Sequence, residues 1–463
     1  MVLYAHRMIA QADTVANLQN AHPDVPALGS SPETIPRSEH KISPSSISPG
    51  ALKVLHGLQE AGYQTCLVGG GVRDLLLGRE PKDFDIATSA LPEEVRRVFR
   101  RCRLIGRRFR LAHVRFGREV IEVATFRGHY QNGETQGDVT SDEGRILRDN
   151  VYGPIEEDAW RRDFTVNALY YDVGADVVLD YVGGMRDLRS GVLRLIGEPG
   201  ARYREDPVRM LRALRFAAKL GFQIEEETAR LIAPLAELLS DISSARLYEE
   251  VLKLFMGGEA LATFELLRHY HVFDKLFPFT EAALAEEPDG FPQVLLTRAL
   301  ANTDTRIAEG KPVTPAFLFA ALLWAPLRHR LRAADGSSGG EPLMQALAGE
   351  LVSEQAAYTG LPRRFSLPMR EIWMLQPRLE QRTGRRPLRL LTHPRFRAAY
   401  DFLLLRGEAG EVDEELCRWW TEFQQETPEV QEQRLAATTP GKRKSRGRRR
   451  RGRAGAKRHE DTP

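Results

Sequence analysis

Apolar and polar positions follow two periods along this chain, and the change of period divides it. Residues 51–61, ALKVLHGLQEA, repeat apolar positions at helical spacing, with Ser48-Pro49 as a start signal. A β-prone run at 63–68 then leads into Gly69, Gly70 and Gly71, and a short helix-like piece carries Arg73 and Asp74 to a stop at Gly78. A second β-prone run holds Asp83 and Asp85 two residues apart. PEEVRRVFRR at 92–101 reads as a helix with Pro at its first position. Two alternating runs around Gly117-Arg118 read as a hairpin, and the polar stretch 129–145 reads as a mobile loop. IEEDAWRRDFTVNA at 155–168 is expected to be helical, and YYDVGADVVLDYVGG after it a further hairpin. Beyond Glu205 nearly every segment to Gln424 has the helical period, broken by Pro/Gly turns. An α/β head followed by an all-helical body is the architecture these periods imply.

Composition narrows the class. The chain has 463 residues, 42% of them apolar and 28% charged, enough for several packed cores. No apolar run reaches the roughly 18 residues that a membrane span needs. The first residues, MVLYAHRMIAQADT, lack a secretory core, and Asp13 argues against a transit segment. Cys66, Cys102 and Cys417 stand far apart with no metal-binding spacing, which fits a reducing compartment, and a cytoplasmic protein is expected. Residues 1–48 and 437–463 lack periodicity and are expected to be disordered. Between Lys442 and Arg458 there are eleven Lys or Arg and no acid. Setting those aside leaves 55 basic against 63 acidic residues, so a basic tail follows a body of about −8, a layout common in nucleic-acid-binding proteins.

Four constellations could carry chemistry. Residues i and i+2 of a strand share a face, so Asp83 and Asp85 should converge, as hard oxygen ligands for divalent cations facing a triphosphate. A turn is the bland alternative, but Asp85 lies between Phe84 and Ile86, where a charge is costly unless it meets a ligand. Glu122, inside VIEVATF, is the candidate third carboxylate, or else an edge-strand acid facing water. Glycines 69–71 would let backbone approach phosphate. In RRDFTVN, guanidinium forks suit phosphate oxygens, and Asp163 and Asn167 at i and i+4 of a helix could grip a ribose. An ordinary surface helix with ion pairs is the competing reading. Asp206-Pro207 reads as a helix start, and Arg209, Arg212 and Arg215 recur every three residues, facing solvent or RNA; Asp206 with Arg209 could also read a base edge. The stretch GRRFRLAH could neutralise phosphates, or be a solvated loop. His113 within it reads as a structural histidine, and Trp419-Trp420 as core.

The ordered set LVGGGVRD, DFDIAT, IEVATFR, RRDFTVNALYY, YVGGMRDL and REDPVRMLRALRFAAKLGF resembles the class II nucleotidyltransferase family, which contains CCA-adding enzymes and bacterial poly(A) polymerases. The likeness is dense over residues 52–275. It implies an α+β fold: a nucleotidyltransferase-type head with a short mixed sheet (49–195), a helical neck for base recognition and RNA binding (196–275), a helical RNA-binding body (276–436) and the basic tail. Asp83 and Asp85 would hold two Mg²⁺ ions, with Mn²⁺ as a substitute, and Glu122 would be the third ligand. Arg162, Asp163 and Asn167 would bind and orient the nucleotide, with Asp163 also counted as catalytic. Glu205, Asp206 and Arg209 would recognise the base, and Gly69, Gly70 and Arg73 would cradle phosphates.

GRRFRLAHV, NTDTRI, PAFLFAALLW and HPRFRAAYDFLLLR are similar to the poly(A) polymerase branch, as is the basic tail. That branch implies ATP as substrate, RNA 3′ ends as acceptor and RNA-decay proteins as candidate partners. RNA would lie on Arg212, Arg215 and the tail residues Lys442, Arg443, Lys444, Arg448, Arg449, Arg450 and Arg451. CCA addition to tRNA, and RNA binding by an inactive head, are the alternatives.

Overall fold

In a computed structural model the described residues are 31–106, 110–128, 139–140, 146–148, 151–286, 294–334 and 340–438. The basic tail, most of the 129–145 stretch and part of GRRFRLAH lie outside them. The head is built on one mixed eight-stranded sheet. Its strands are β1 (Glu33–Pro36), β2 (Thr65–Val68), β3 (Asp85–Thr88), β4 (Cys102–Ile105), β5 (Leu111–Phe116) and β6 (Glu119–Thr125), then β9 (Leu169–Asp172) and β10 (Val177–Asp180). A two-stranded ladder, β7 (Val139–Thr140) with β8 (Ile146–Arg148), stands apart from it. The order is β1-β10-β9-β2-β3-β6-β5-β4. Within this sheet only β3 and β6 run parallel, with Asp85 opposite Glu122 in register; its other pairs are antiparallel.

Local sequence explains these elements. All four residues of β2, TCLV, are buried, as a central strand requires. In β6 Ile121, Val123 and Thr125 point into the core while Val120 and Glu122 face out, the period-2 pattern of a half-buried strand. Helix Pro49–Glu60 starts where Ser48 Oγ accepts from Ala51 N at 3.1 Å, and it buries Val54, Leu55 and Leu58. The expected hairpins both form.

Three expectations are corrected. Residues 31–48 are not a disordered extension: β1 pairs with β10 at the sheet edge, and Ile35, Ile42 and Ile47 are buried. His40 is buried too, its Nδ1 accepting from Ile42 N and its Nε2 lying 3.1 Å from the Asp176 carbonyl. A four-residue edge strand with one inward side chain carries no periodic signal of its own. The second correction concerns 155–168. The helix covers only Ile155–Arg161, Arg162 is extended, and a 3₁₀ turn at Thr165–Asn167 leads into β9. Asp163 and Asn167 therefore do not share a helix face. Third, β3 begins at Asp85, so Asp83 lies just outside the strand and the alternation rule does not apply to it.

Among the described residues after β11 (Val192–Leu193), the only strand is β12 (Gln223–Ile224), its parallel partner, and the other regular elements are helices. The neck helix, Val208–Leu220, starts after Asp206-Pro207, but its N-cap is Pro207 and not Asp206 as expected; Asp206 closes the preceding helix Pro199–Glu205, and its Oδ1 accepts from Val208 N at 3.3 Å. The chain separates into two compact units, 1–370 and 371–463, so the boundaries expected near 195 and 275 fall inside the first. The second unit has its own core of Phe396, Tyr400, Leu403, Trp419, Trp420 and Phe423, and Trp420 Nε1 donates to the Leu379 carbonyl at 2.8 Å. No described helix is long and apolar enough to cross a membrane.

Ile35→Ala should remove about 2 kcal/mol or more of stability and lower Tm by about 5 °C in a thermal melt. An unaltered Tm would mean that the N-terminal segment is not docked on β10.

Candidate active site

The site forms where β2 ends and β3 begins. Gly69 has φ +76° and ψ −141°, a backbone region open mainly to glycine. A Cβ added there would lie 3.8 Å from Arg162 Nη1 and 3.9 Å from Asp85 Oδ2, so the turn brings bare backbone beside both charges. At Gly71 an added Cβ would come within 3.3 Å of the Asp83 carbonyl oxygen, so the absence of a side chain lets the Asp83 segment lie close to helix Gly70–Leu76.

Asp85 reaches solvent, yet partial burial holds its carboxyl above the usual carboxylate range. The charges of Glu122 and Asp83 push it further up, and only Arg162 among its principal influences pulls it down. Glu122 also has His113 as its register partner on β5, with Nε2 3.1 Å from Oε1 but poorly aligned for a hydrogen bond. His113, read from sequence as structural, thus stands against a candidate ligand. Among the described residues no three acids, histidines or cysteines stand together as a group that could hold a metal ion. The donor types nevertheless suit a hard divalent cation: Asp85 and Glu122 stand in register on neighbouring strands and reach solvent, and the charges of Glu122 and Asp83 both act on Asp85.

Behind this open edge lies a network of satisfied charges. Arg162 Nε donates to Tyr170 Oη at 2.8 Å and to Asp158 Oδ2 at 3.2 Å, and Nη2 donates to Asp158 Oδ2 at 2.9 Å. Tyr170 Oη donates to the same carboxylate oxygen at 2.6 Å. Burial alone would raise Asp158, but Arg162 and these hydrogen bonds hold it below the ordinary range. Among the described residues Arg162 Nη1 has no acceptor, so the anchored guanidinium turns one end toward Asp85 and Gly69.

Asp163 is held from every side. Oδ1 accepts from Phe164 N at 2.8 Å and from Asn167 Nδ2 at 3.2 Å. Oδ2 accepts from Arg212 Nε at 2.7 Å and also from Arg212 Nη2. Burial pushes its pKa up, but the Arg212 charge and these bonds outweigh it and bring it to about 2. Asn167 Oδ1 in turn accepts from Arg73 Nη1 at 2.6 Å, and Arg73 forks onto Asp74 Oδ1 through Nε at 2.9 Å and Nη2 at 2.6 Å. Lys219 Nζ lies 3.6 Å from Asp74 Oδ2. Two sequence expectations change here. Arg73 is buried and engaged with protein acceptors, so it is not a phosphate cradle. Arg212 is pinned to Asp163 rather than presented to RNA. Arg215 is half-buried, 4.5 Å over the Phe216 ring, and burial first and Arg212 second lower its pKa.

The base-reading candidates sit at the top of the neck helix. Arg209 Nη1 donates to Glu205 Oε2 at 2.6 Å and to the Arg202 carbonyl at 2.8 Å. Asp206 Oδ2 accepts from Arg246 Nη2 at 2.7 Å, so Asp206 and Arg209 each face another partner. Arg202 also bonds to Glu205, and its Nη2 donates to the carbonyls of Arg161 and Arg162 at 2.8 and 2.6 Å, tying neck to head. Burial, then repulsion from Arg209, lowers its pKa to about 10. Sequence reading missed Asp158, Tyr170, Arg202 and Arg246. Asp158 was visible as the i−4 partner of Arg162, whereas Arg246 acts across 40 residues and left no local signal.

Such a sheet, with Asp85 and Glu122 in register beside a glycine turn and a helical neck, has the features of a nucleotidyltransferase. Residues 65–194 match the poly A polymerase head domain, 221–284 the probable RNA and SrmB-binding site of polymerase A, and 339–454 the polymerase A arginine-rich C-terminus. The chain is 49% identical to poly(A) polymerase I of Escherichia coli O6:H1 over 92% of its length and 91% of that protein. It is 50% identical to poly(A) polymerase I of Salmonella typhimurium over 90% of its length and 92% of the relative. Its fold is similar to a Bacillus stearothermophilus CCA-adding enzyme in complex with CTP (TM-score 0.54, 27% identity, 81% of this chain and 84% of that one). The chain belongs to the poly(A) polymerase family.

Arg212→Ala should leave the Asp163 carboxylate buried without its cation and cost about 3 kcal/mol in denaturant unfolding. In the intact protein the depressed Asp163 pKa contributes about 2 kcal/mol, present above the unfolded value near 4 and lost as pH falls through about 2. Asp163→Asn should flatten that part of the acid-unfolding profile; an unchanged profile would remove Asp163 from this role.

Proposed function

We propose that this protein is a template-independent poly(A) polymerase, adding AMP from ATP to RNA 3′ ends and releasing pyrophosphate. The observation that carries the reading is Asp85 in register beside Glu122, with Asp85 Oδ2 and Arg162 Nη1 both against the bare Gly69 backbone and the charges of Glu122 and Asp83 acting on Asp85. Asp83, Asp85 and Glu122 would hold two Mg²⁺ ions, with Mn²⁺ able to substitute. Bound there, the ions would lower the pKa of the attacking 3′-hydroxyl and offset charge on the triphosphate. The bare backbone of Gly69 and Gly70 admits the phosphates, and Arg162 Nη1 donates to one of their oxygens. Asp163 works as a positioning residue, since its oxygens already accept four protein donors. It would hold Asn167 toward the ribose, while Glu205, Asp206 and Arg209, oriented by Arg202 and Arg246, would read the base.

RNA would bind through phosphate contacts, from Arg215 and from the tail residues beyond 438, giving weak sequence preference and strong salt dependence. A cytoplasmic role promoting RNA decay, with decay proteins as partners, follows from that activity. CCA addition is the second reading, favoured by the fold it shares with a CCA-adding enzyme.

With each nucleotide supplied singly, generic RNA should gain long A tails, whereas CTP-dependent addition that stops after three residues on a tRNA lacking its 3′ end would favour the second reading. Asp85→Ala should abolish AMP incorporation and leave Tm equal or higher, because it removes a carboxylate repelled by Glu122 and Asp83. An active Asp85→Ala protein would sink the metal assignment.

A further inference from the structure

We propose that Arg73 is a positioning residue for sugar selection: it fixes the orientation of the Asn167 amide, and through it the preference for a ribonucleotide over a deoxyribonucleotide. The inference rests on the nucleotidyl-transfer reading above and adds to it a residue that touches neither phosphate nor metal ligand.

An asparagine side chain presents a donor at one end and an acceptor at the other, and a half-turn exchanges them at almost no change in shape. Asn167 meets two groups that cannot both tolerate that exchange. Arg73 Nη1 only donates, and it stands 2.6 Å from Oδ1. The Asp163 carboxylate only accepts, and it stands 3.2 Å from Nδ2. The amide is therefore set with its oxygen toward Arg73 and its nitrogen toward Asp163. Nδ2 carries a second hydrogen, and among the described residues no protein acceptor takes it. A buried N–H of this kind is costly when unpaired. It suits a ligand hydroxyl that can accept a hydrogen bond, such as a ribose hydroxyl, and it would lose that partner when the hydroxyl is replaced by hydrogen.

Arg73 is built to hold this position. It is 2% exposed, and its Nε and Nη2 both close on Asp74 Oδ1. The guanidinium lies 5.2 Å from the Phe216 ring centroid, and Lys219 on the neck helix approaches the other Asp74 oxygen at 3.6 Å. The plane of the fork is thus fixed by three contacts before Asn167 is reached. A lysine at 73 could keep the charge opposite Asp74, but its single rotating ammonium cannot hold both acceptors in a fixed plane.

The test compares kcat and KM for ATP and dATP on one RNA primer, with a thermal melt for each variant. Arg73→Lys should reduce the preference for ATP over dATP about tenfold, the size of one directed hydrogen bond lost at a buried site. Asn167→Ala should reduce it at least as far, and the double variant should match Asn167→Ala alone, because both changes remove the same contact. Asp74→Asn loosens the fork but keeps the guanidinium; it should move the preference the same way by a smaller factor, and it decides the matter if Arg73→Lys proves unstable. Equal losses with ATP and dATP in Arg73→Lys would overturn the proposal, since a purely structural role lowers both. So would an unchanged preference in Asn167→Ala, or a double variant worse than either single one. Failure of the wild-type protein to incorporate AMP at all would instead count against the functional reading.

Discussion

A carboxylate kept ionised where little water reaches it ties the catalytic end of this molecule together. Asp163 is stable as an anion only because Arg212 reaches it from the neck helix and two N–H donors complete its coordination. Taking either charge away leaves the other uncompensated in a poorly solvated place, which costs far more than the pair contributes over neutral residues. The head cannot separate from the neck helix at this point without that cost. The same carboxylate orients Asn167, whose other end is held by Arg73, and Arg73 is held by Asp74. One electrostatic requirement thus fixes three segments: the glycine helix, the 162–167 turn and the neck helix.

The open side of the site follows the opposite rule. Asp83, Asp85 and Glu122 repel one another, with Arg162 facing Asp85 and His113 against Glu122. Arg162 can afford to face them because Asp158 and Tyr170 anchor its other nitrogens. Satisfied acids lie inside and opposed acids at the edge, which is the distribution expected where a cationic ligand completes the site. The group proposed to read the base is held in a related way. Glu205 holds Arg209, Arg246 holds Asp206, and Arg202 bonds both to Glu205 and to the head backbone, so these side chains are oriented before a nucleotide arrives.

Much of this was legible in the chain itself. Helical and two-residue periods located β2, β3, both hairpins and the helical body, because those periods come from the local geometry of helix and strand. The glycines, Asp85 and Glu122 stood out as residues whose type conflicts with their surroundings, and the ordered motifs led to the family to which the chain belongs. Asp206-Pro207 as a helix start and the two tryptophans as core were equally local statements.

What local pattern could not decide is which charges meet. Arg73 looked available for phosphate, and Arg212 for RNA, because a sequence shows a charge but not its partner. Asp74 is next to Arg73, whereas Asn167 is 94 residues away and Arg212 is 49 from Asp163. Strand β1 was missed for the same reason, since a short edge strand is defined by its neighbour β10 more than by its own residues. Residue type and short spacing were enough for most of the elements, for the family and for the acids that could do chemistry. Tertiary structure alone decided which charged groups are neutralised and which are left facing a ligand, because pairing energies depend on distance and burial that only the folded chain sets.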